Sequence, residues 1–461
     1  MRTRWVLLLS LSVLGWPTAS RAHGFDERYD LPVPLSWAVA AACAVVALSF
    51  VAAARFARAS AGGVPHGRDV VLPQGLQAAL RGLGLLLFAL ALSTALWGST
   101  DPLMNLAPTL VWIVAWLGLA FLSALLGDIW ALLDPWRGLF IALDAAARRL
   151  GRAEGLSLGL RYPAALGQWP AVLLLLAWCW LEVVAPLAST PGRLGVALLA
   201  WTVFNIAGMA AFGAAAWQAR GDVFAVFFAT LSRLAPLRLR STGAAAGGSE
   251  ALPAAGQVGF VMAMLSTVVF DGLHGGTAWL TFEGLLRRAV PQWLDVNGRV
   301  AGTLGLLSVW LAFGLAYTAT ERLSRRLLRP VRLDAATLAL NLVPIALAYN
   351  VAHNFSSLLI QGQRVVALLS DPFGRQWDLF GTARWYPDIG IVDARMTWYV
   401  ALVAIVSGHV ASIWATHQCV LGAGVPPRRA GMAMLPLTLL MVGYTALSLV
   451  LIAEPMVASP P

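Results

Sequence analysis

Ten apolar stretches, at approximately 35–54, 80–97, 107–127, 165–185, 193–217, 258–279, 301–319, 336–361, 396–421 and 430–453, dominate the sequence. About 20 apolar residues cross a bilayer as a helix, and in hydrocarbon a lone segment satisfies its backbone polar groups only by closing helical hydrogen bonds. A chain that is 59% hydrophobic and 12% charged, with a mean hydropathy of +0.74, is too apolar for a soluble enzyme of this length. The expected fold class is all-α: a polytopic transmembrane helix bundle of about ten spans after a cleaved signal peptide, with the lipid bilayer as its main partner.

Residues 1–22, MRTRWVLLLSLSVLGWPTASRA, pair a basic start with a short apolar run and small residues at Ser20 and Ala22. That pattern predicts a secretory signal cut after Ala22, leaving residues 23–461 as one integral membrane domain that begins at His23. The ten spans then place both termini on the outer, periplasmic side of a bacterial inner membrane. Arginine distribution tests the orientation separately, because cytoplasmic loops collect basic residues. Twenty of the 32 basic residues, all arginine, fall in loops assigned inside and nine in loops assigned outside. The net charge of +10 is therefore topogenic charge facing anionic lipid, and nucleic acid is not an expected partner. Cys43, Cys179 and Cys419 lie in apolar spans without CxxC spacing, as small core residues do.

Two segments on the inner side, 127–143 (GDIWALLDPWRGLFIAL) and 221–236 (GDVFAVFFATLSRLAP), mix aromatics with charge and read as helices lying in the membrane interface. Residues 218–257 form a long inner loop with a small-residue linker at 241–256. The long outer loop at 362–395 holds SDPFGRQWDLFGTARWYPDIG, which reads either as a lid over an external cavity or as an interfacial cap.

The stretch 341–363, NLVPIALAYNVAHNFSSLLIQGQ, carries the heaviest polar load of any span. Tyr349, Asn350, His353 and Asn354 recur at three- and four-residue spacing and form one stripe of a helix. Elsewhere Glu182 and Asp271 are the two acids set clearly within spans, and intramembrane carboxylates are costly enough to be functional candidates. The topology puts Glu182, Asp271, His274 and His353 in the outer halves of their helices, Asp271 and His353 each roughly 12 Å below the outer end. His409 lies near mid-membrane, and His417 sits nearer the inner face. A carboxylate with two or three imidazoles is a ligand set for zinc or another transition ion, so Asp271, His274, His353 and His409 are candidate metal ligands. His23, offering amine and ring together as copper-binding histidine braces do, is a further one. Glu182, Tyr349 and Asn350 are the candidate catalytic groups. Two other readings stay open: interhelical hydrogen bonding alone, and a transporter or metal-handling permease with Asp271, His353 and His409 as stations at successive depths.

The segments AHGFDERYDLPVPL at 22–35, FDGL at 270–273, AHNFSSLLIQGQ at 352–363 and GHV at 408–410 resemble a family of bacterial polytopic membrane proteins with members named fenitrothion hydrolase. That resemblance implies an inner-membrane enzyme that cleaves the P–O aryl bond of organophosphate triesters. A small, apolar, lipid-soluble substrate of that kind suits an outward-facing intramembrane cavity. A divalent transition metal, zinc or copper, would polarise the phosphoryl oxygen.

Overall fold

Among the described residues, every strongly apolar stretch becomes a helix, because only the helix pairs its own N–H and C=O groups away from water. The computed structural model describes residues 32–57, 67–185, 187, 190–241, 254–289, 291, 299–331 and 333–454. Its helices are α1 (Leu35–Phe56), α2 (Gln74–Trp97), α3 (Leu106–Leu126), α4 (Ile129–Leu133), α5 (Pro135–Arg149), α6 (Trp169–Val183), α7 (Pro191–Phe212), α8 (Ala214–Arg220) and α9 (Val223–Ser232). They continue as α10 (Gln257–His274), α11 (Thr277–Ala289), α12 (Arg299–Leu328), α13 (Ala335–Leu340), α14 (Val343–Gly362), α15 (Arg364–Ser370), α16 (Ala394–Gly422) and α17 (Pro427–Ala453). Among the described residues, nine helical stretches are long and apolar enough to cross a membrane. The 15-residue α6 stands where the fourth span is expected. The chain is a multi-pass, all-α membrane bundle.

One end of the bundle is marked by a two-stranded parallel ribbon, β1 (Arg68–Leu72) with β2 (Leu237–Ser241), in which Arg68 pairs with Leu237 and Leu72 with Ser241. We call it the ribbon end. At the opposite end the Thr277 amide and hydroxyl both donate to Glu454, at 3.1 and 2.6 Å, tying the start of α11 to the exit of α17.

The segments expected to lie flat at the interface instead fold back into the bundle. After Gly127, whose φ of 90° turns the chain beside Arg238 of β2, α4 climbs to Asp134 and α5 descends. The Leu133 carbonyl packs so closely on Gly84 that a Cβ there would lie 1.7 Å from its oxygen. Gly84 is about 15 Å into α2, half of the way along that span. Thr202, which accepts the Trp136 indole N–H at 3.0 Å, is at a similar depth in α7. A second hairpin follows α7: Gly213, at φ 81°, ends the helix, α8 climbs beside it, and α9 descends from Asp222. The Trp217 indole donates to Asn205 at 2.8 Å, holding α8 against α7. The two tips meet, with the Gln218 amide donating to the Asp134 carboxylate and Phe224 stacked on Trp136 at 5.6 Å.

Aromatic area explains this departure from the expected interfacial helices. Trp130, Trp136, Phe224, Phe227 and Phe228 are all buried, with Phe227 stacked on Trp116 at 4.6 Å and Phe228 on Trp130 at 5.0 Å. Each such side chain buries roughly 150–250 Å², more than a helix half-sunk in headgroups can hide. The long loop between α14 and α16 is likewise built rather than loose. Asp371 accepts the Arg375 and Gln376 amides, and the Pro372 and Phe373 carbonyls accept from Leu106 and Ser99.

Two glycines on α2 test the first hairpin. Gly82 has nothing within 4 Å of a built Cβ, so Gly82→Ala should stabilise by up to about 1 kcal/mol through helix propensity. Gly84→Ala must push Leu133 away and should cost about 1–3 kcal/mol. Thermal unfolding in detergent reads both, and equal melting temperatures would mean that the hairpin does not pack on α2.

Candidate functional site

α10 and α14 cross closely because α10 offers Gly272 at the contact. A Cβ there would lie 2.8 Å from the Tyr349 hydroxyl and 3.8 Å from Cε1 and Nδ1 of His353. This approach brings Asp271 Oδ2 to 2.9 Å from His353 Nε2. The Asp271 side chain is 39% exposed and that of His353 14%, so the pair sits at a mouth rather than in sealed core. A carboxylate partner makes Nε2 the protonated nitrogen of a neutral ring. Nδ1 is then left with its lone pair free, a fixed tautomer with one basic nitrogen.

Tyr349, one turn before His353, packs its ring at 6.2 Å and 19° from the imidazole. Among the described residues, neither its buried hydroxyl nor the side-chain oxygen of Asn350 has a hydrogen-bond partner. α14 can present this stripe because the span is broken ahead of it. α13 ends at Leu340, a turn follows, and α14 restarts at Val343 with Pro344 in its first turn, where a missing N–H costs nothing.

Glu182 is partly buried on α6, close enough to Asp271 for their charges to interact, and it lies beside the Trp116 indole. Trp116 belongs to the ten-residue π-helical middle of α3, Thr109–Gly118. π-Helical turns are uncommon and recur at functional sites. On its other side Trp116 borders an apolar cavity of about 130 Å³ that also touches Trp130, Trp136, Trp178, Phe224 and Phe228. No side-chain pattern in WIVAWLGLA separates a π-helix from an α-helix, so neither Trp116 nor the cavity stood out in the sequence.

Five expected site residues therefore gather: Glu182, Asp271, Tyr349, Asn350 and His353. The other expected ligands do not complete a metal set. His274 is three residues from Asp271, but it ends α10, and its ring is held 5.5 Å from both Phe270 and Trp279. The α10–α11 turn draws it toward Trp279 and away from α14. His409 is buried on α16, with Nδ1–H donating to the Ile405 carbonyl at 2.8 Å and Nε2 unpartnered. Among the described residues no group of three or more His, Cys, Asp and Glu side chains is placed to hold a metal ion. Asp271 and His353 supply two ligands, too few for a zinc or copper centre; His23 lies outside the described residues.

The Asp271–His353 contact should be measurable without any assay of function. In a double-mutant cycle of Asp271→Asn and His353→Gln, unfolding in detergent should give a coupling of about 0.5–2 kcal/mol. Strict additivity would mean the two side chains are not paired.

No protein-family model matches the chain, and no curated protein and no solved structure matches it.

Proposed function

We propose that this integral membrane protein hydrolyses small apolar esters, with phosphotriesters of the fenitrothion type as the class to which its sequence resemblance points. The observation that carries the reading is the 2.9 Å Asp271–His353 contact at a partly open mouth. His353 Nδ1 takes a proton from water as its oxygen bonds to phosphorus. The P–O aryl bond breaks, and the proton passes to the departing phenolate. Asp271 holds the tautomer and stabilises the imidazolium. The Tyr349 hydroxyl, with no protein partner, donates to the phosphoryl oxygen as charge develops there. Glu182 lies beside Asp271 at the edge of the site. The arginine distribution argues for a mouth on the outer side of the inner membrane, where a lipid-soluble ester arrives through the bilayer.

The chemistry needs no ion. A resident zinc or copper would draw its remaining ligands from His23, and bound metal would supply Lewis acidity at the phosphoryl oxygen.

Washed membranes carrying the wild type should release nitrophenol from a nitrophenyl phosphotriester. His353→Gln should lower the rate about 10²–10⁴-fold, the usual worth of a general base. Equal release from both would sink the site. Chelator-washed membranes should keep their rate, and loss restored by zinc would move the assignment to a metal enzyme.

A permease is the second reading, favoured by the two hairpins folded into the bundle, since non-spanning backbone at membrane depth is typical of transport sites. Substrate uptake by sealed vesicles without nitrophenol release would select it.

A further inference from the structure

Among the described residues, several of the buried polar atoms without partners fall on α14 and α16. Asn350 Oδ1 on α14, then His409 Nε2, Ser412 Oγ, Thr416 Oγ1 and both ring nitrogens of His417 on α16 are all buried and unpaired. Residues 409, 412 and 416 recur at three- and four-residue spacing, so they share one face of α16. These four α16 side chains are at most 3% exposed. Register sets their depth relative to the Asp271–His353 pair. A Cβ at Gly408 would lie 2.4 Å from Ala348 Cβ and 2.7 Å from the Pro344 carbonyl oxygen, so the antiparallel α14 and α16 are in contact there. Counting from that level, His353 lies toward one end and His417 toward the ribbon end, on the order of 24 Å apart at 1.5 Å per residue. That distance spans most of a hydrocarbon core of about 30 Å. At the ribbon-end terminus, Thr416 and His417 line a cavity of about 10 Å³ with Thr438, Phe50 and two methionines. A single water needs about that much room and two to four polar partners.

Each unpaired buried polar atom costs roughly 1–3 kcal/mol. Leaving one open is tolerable, but several at successive levels of α14 and α16 call for an occupant with many donors and acceptors. We propose that this file is a hydrated proton path joining the Asp271–His353 mouth to the ribbon end. His409 takes a proton at Nε2 and returns it, because its Nδ1–H stays on the Ile405 carbonyl. The Ser412 and Thr416 hydroxyls each accept one proton and release another. His417 accepts at one ring nitrogen and releases from the other, since neither is committed elsewhere. One proton enters as one leaves, and no group changes its net charge after the passage. This path does not depend on ester hydrolysis at the mouth: nitrophenol release reads that reaction, and proton flux reads the path.

The test is proton flux into liposomes holding the purified protein and a pH-sensitive dye, driven by a potassium diffusion potential set with valinomycin. Wild-type liposomes should acidify several-fold faster than empty ones. Thr416→Val, near-isosteric but without a hydroxyl, and His409→Leu should both fall to the empty-liposome rate. Thr445→Val should not, because that buried hydroxyl donates to the Met441 carbonyl of its own helix at 3.0 Å. Gel filtration before reconstitution confirms that each variant is folded. Wild-type flux no faster than empty liposomes, or Thr416→Val conducting as the wild type does, overturns the path and leaves these groups as helix-to-helix contacts only.

Discussion

A backbone amide in hydrocarbon must find its partner within the protein, and the two hairpin tips meet that demand with carboxylates. Asp134 accepts the Trp136 and Arg137 amides at 2.9 and 3.2 Å, and Asp222 accepts the Phe224 amide at 3.0 Å and that of Ala225 at 3.5 Å. Neither acid is more than 1% exposed. A cap of this kind is worth about 0.5–2 kcal/mol at a surface, and more where water cannot replace it. The arrangement also offsets part of the cost of burying the acids. Each faces the partial positive charge of a helix N-terminus, and the Gln218 amide adds a donor to Asp134. Without those caps, α5 and α9 would begin with bare amides in the apolar interior, and the hairpins would have no reason to leave the interface.

The rest of the architecture leans on those hairpins. α9 fills the space among α3, α5 and α6 with Phe224, Phe227 and Phe228, and its rings hold Trp116 and Trp178 in place. Trp116 in turn lies beside Glu182. Contacts made at the tips thus reach the carboxylate nearest Asp271 through one layer of aromatic rings. On the far side of Asp271, the Gly272 contact sets how close α14 comes and therefore whether His353 reaches its partner. A carboxylate–imidazole pair is sensitive to displacements of a fraction of an ångström, so packing on both sides of α10 is part of the site.

The all-α bundle and nine of the ten expected spans were legible because the signal is apolar length, which survives ignorance of what each helix touches. Asp271, His353 and Tyr349 were legible for a related reason: polar groups in such spans are conspicuous against their background. The hairpins were not. GDIWALLDPWRGLFIAL has the amphipathic character of an interfacial helix, and that pattern is the same whether the apolar face rests on acyl chains or on tryptophans of the same protein. Spacing said less at His274, whose ring neighbours, Phe270 and Trp279, depend on how α11 packs after the turn. His409 shows the complementary limit, since its depth followed from counting residues whereas its direction depended on α14 and α16 packing at Gly408.

Polar and apolar parts of the proposed active region are kept apart by a single side chain. Trp116 stands between Glu182 and the cavity of about 130 Å³ beyond, whose other walls are aliphatic or aromatic. An apolar cavity of similar size is known to stay dry and hold a benzene-sized guest, so water has little reason to enter from that side. Water reaching the dyad must then come from the exposed edge of Asp271 or along the unpaired groups of α16. In an uncatalysed bilayer, an ester and a water molecule partition into different layers and rarely meet. A wall of one indole, apolar on one face and polar at its edge, lets a lipid-soluble group and a polar mouth lie within a few ångströms of each other without flooding the one or drying the other.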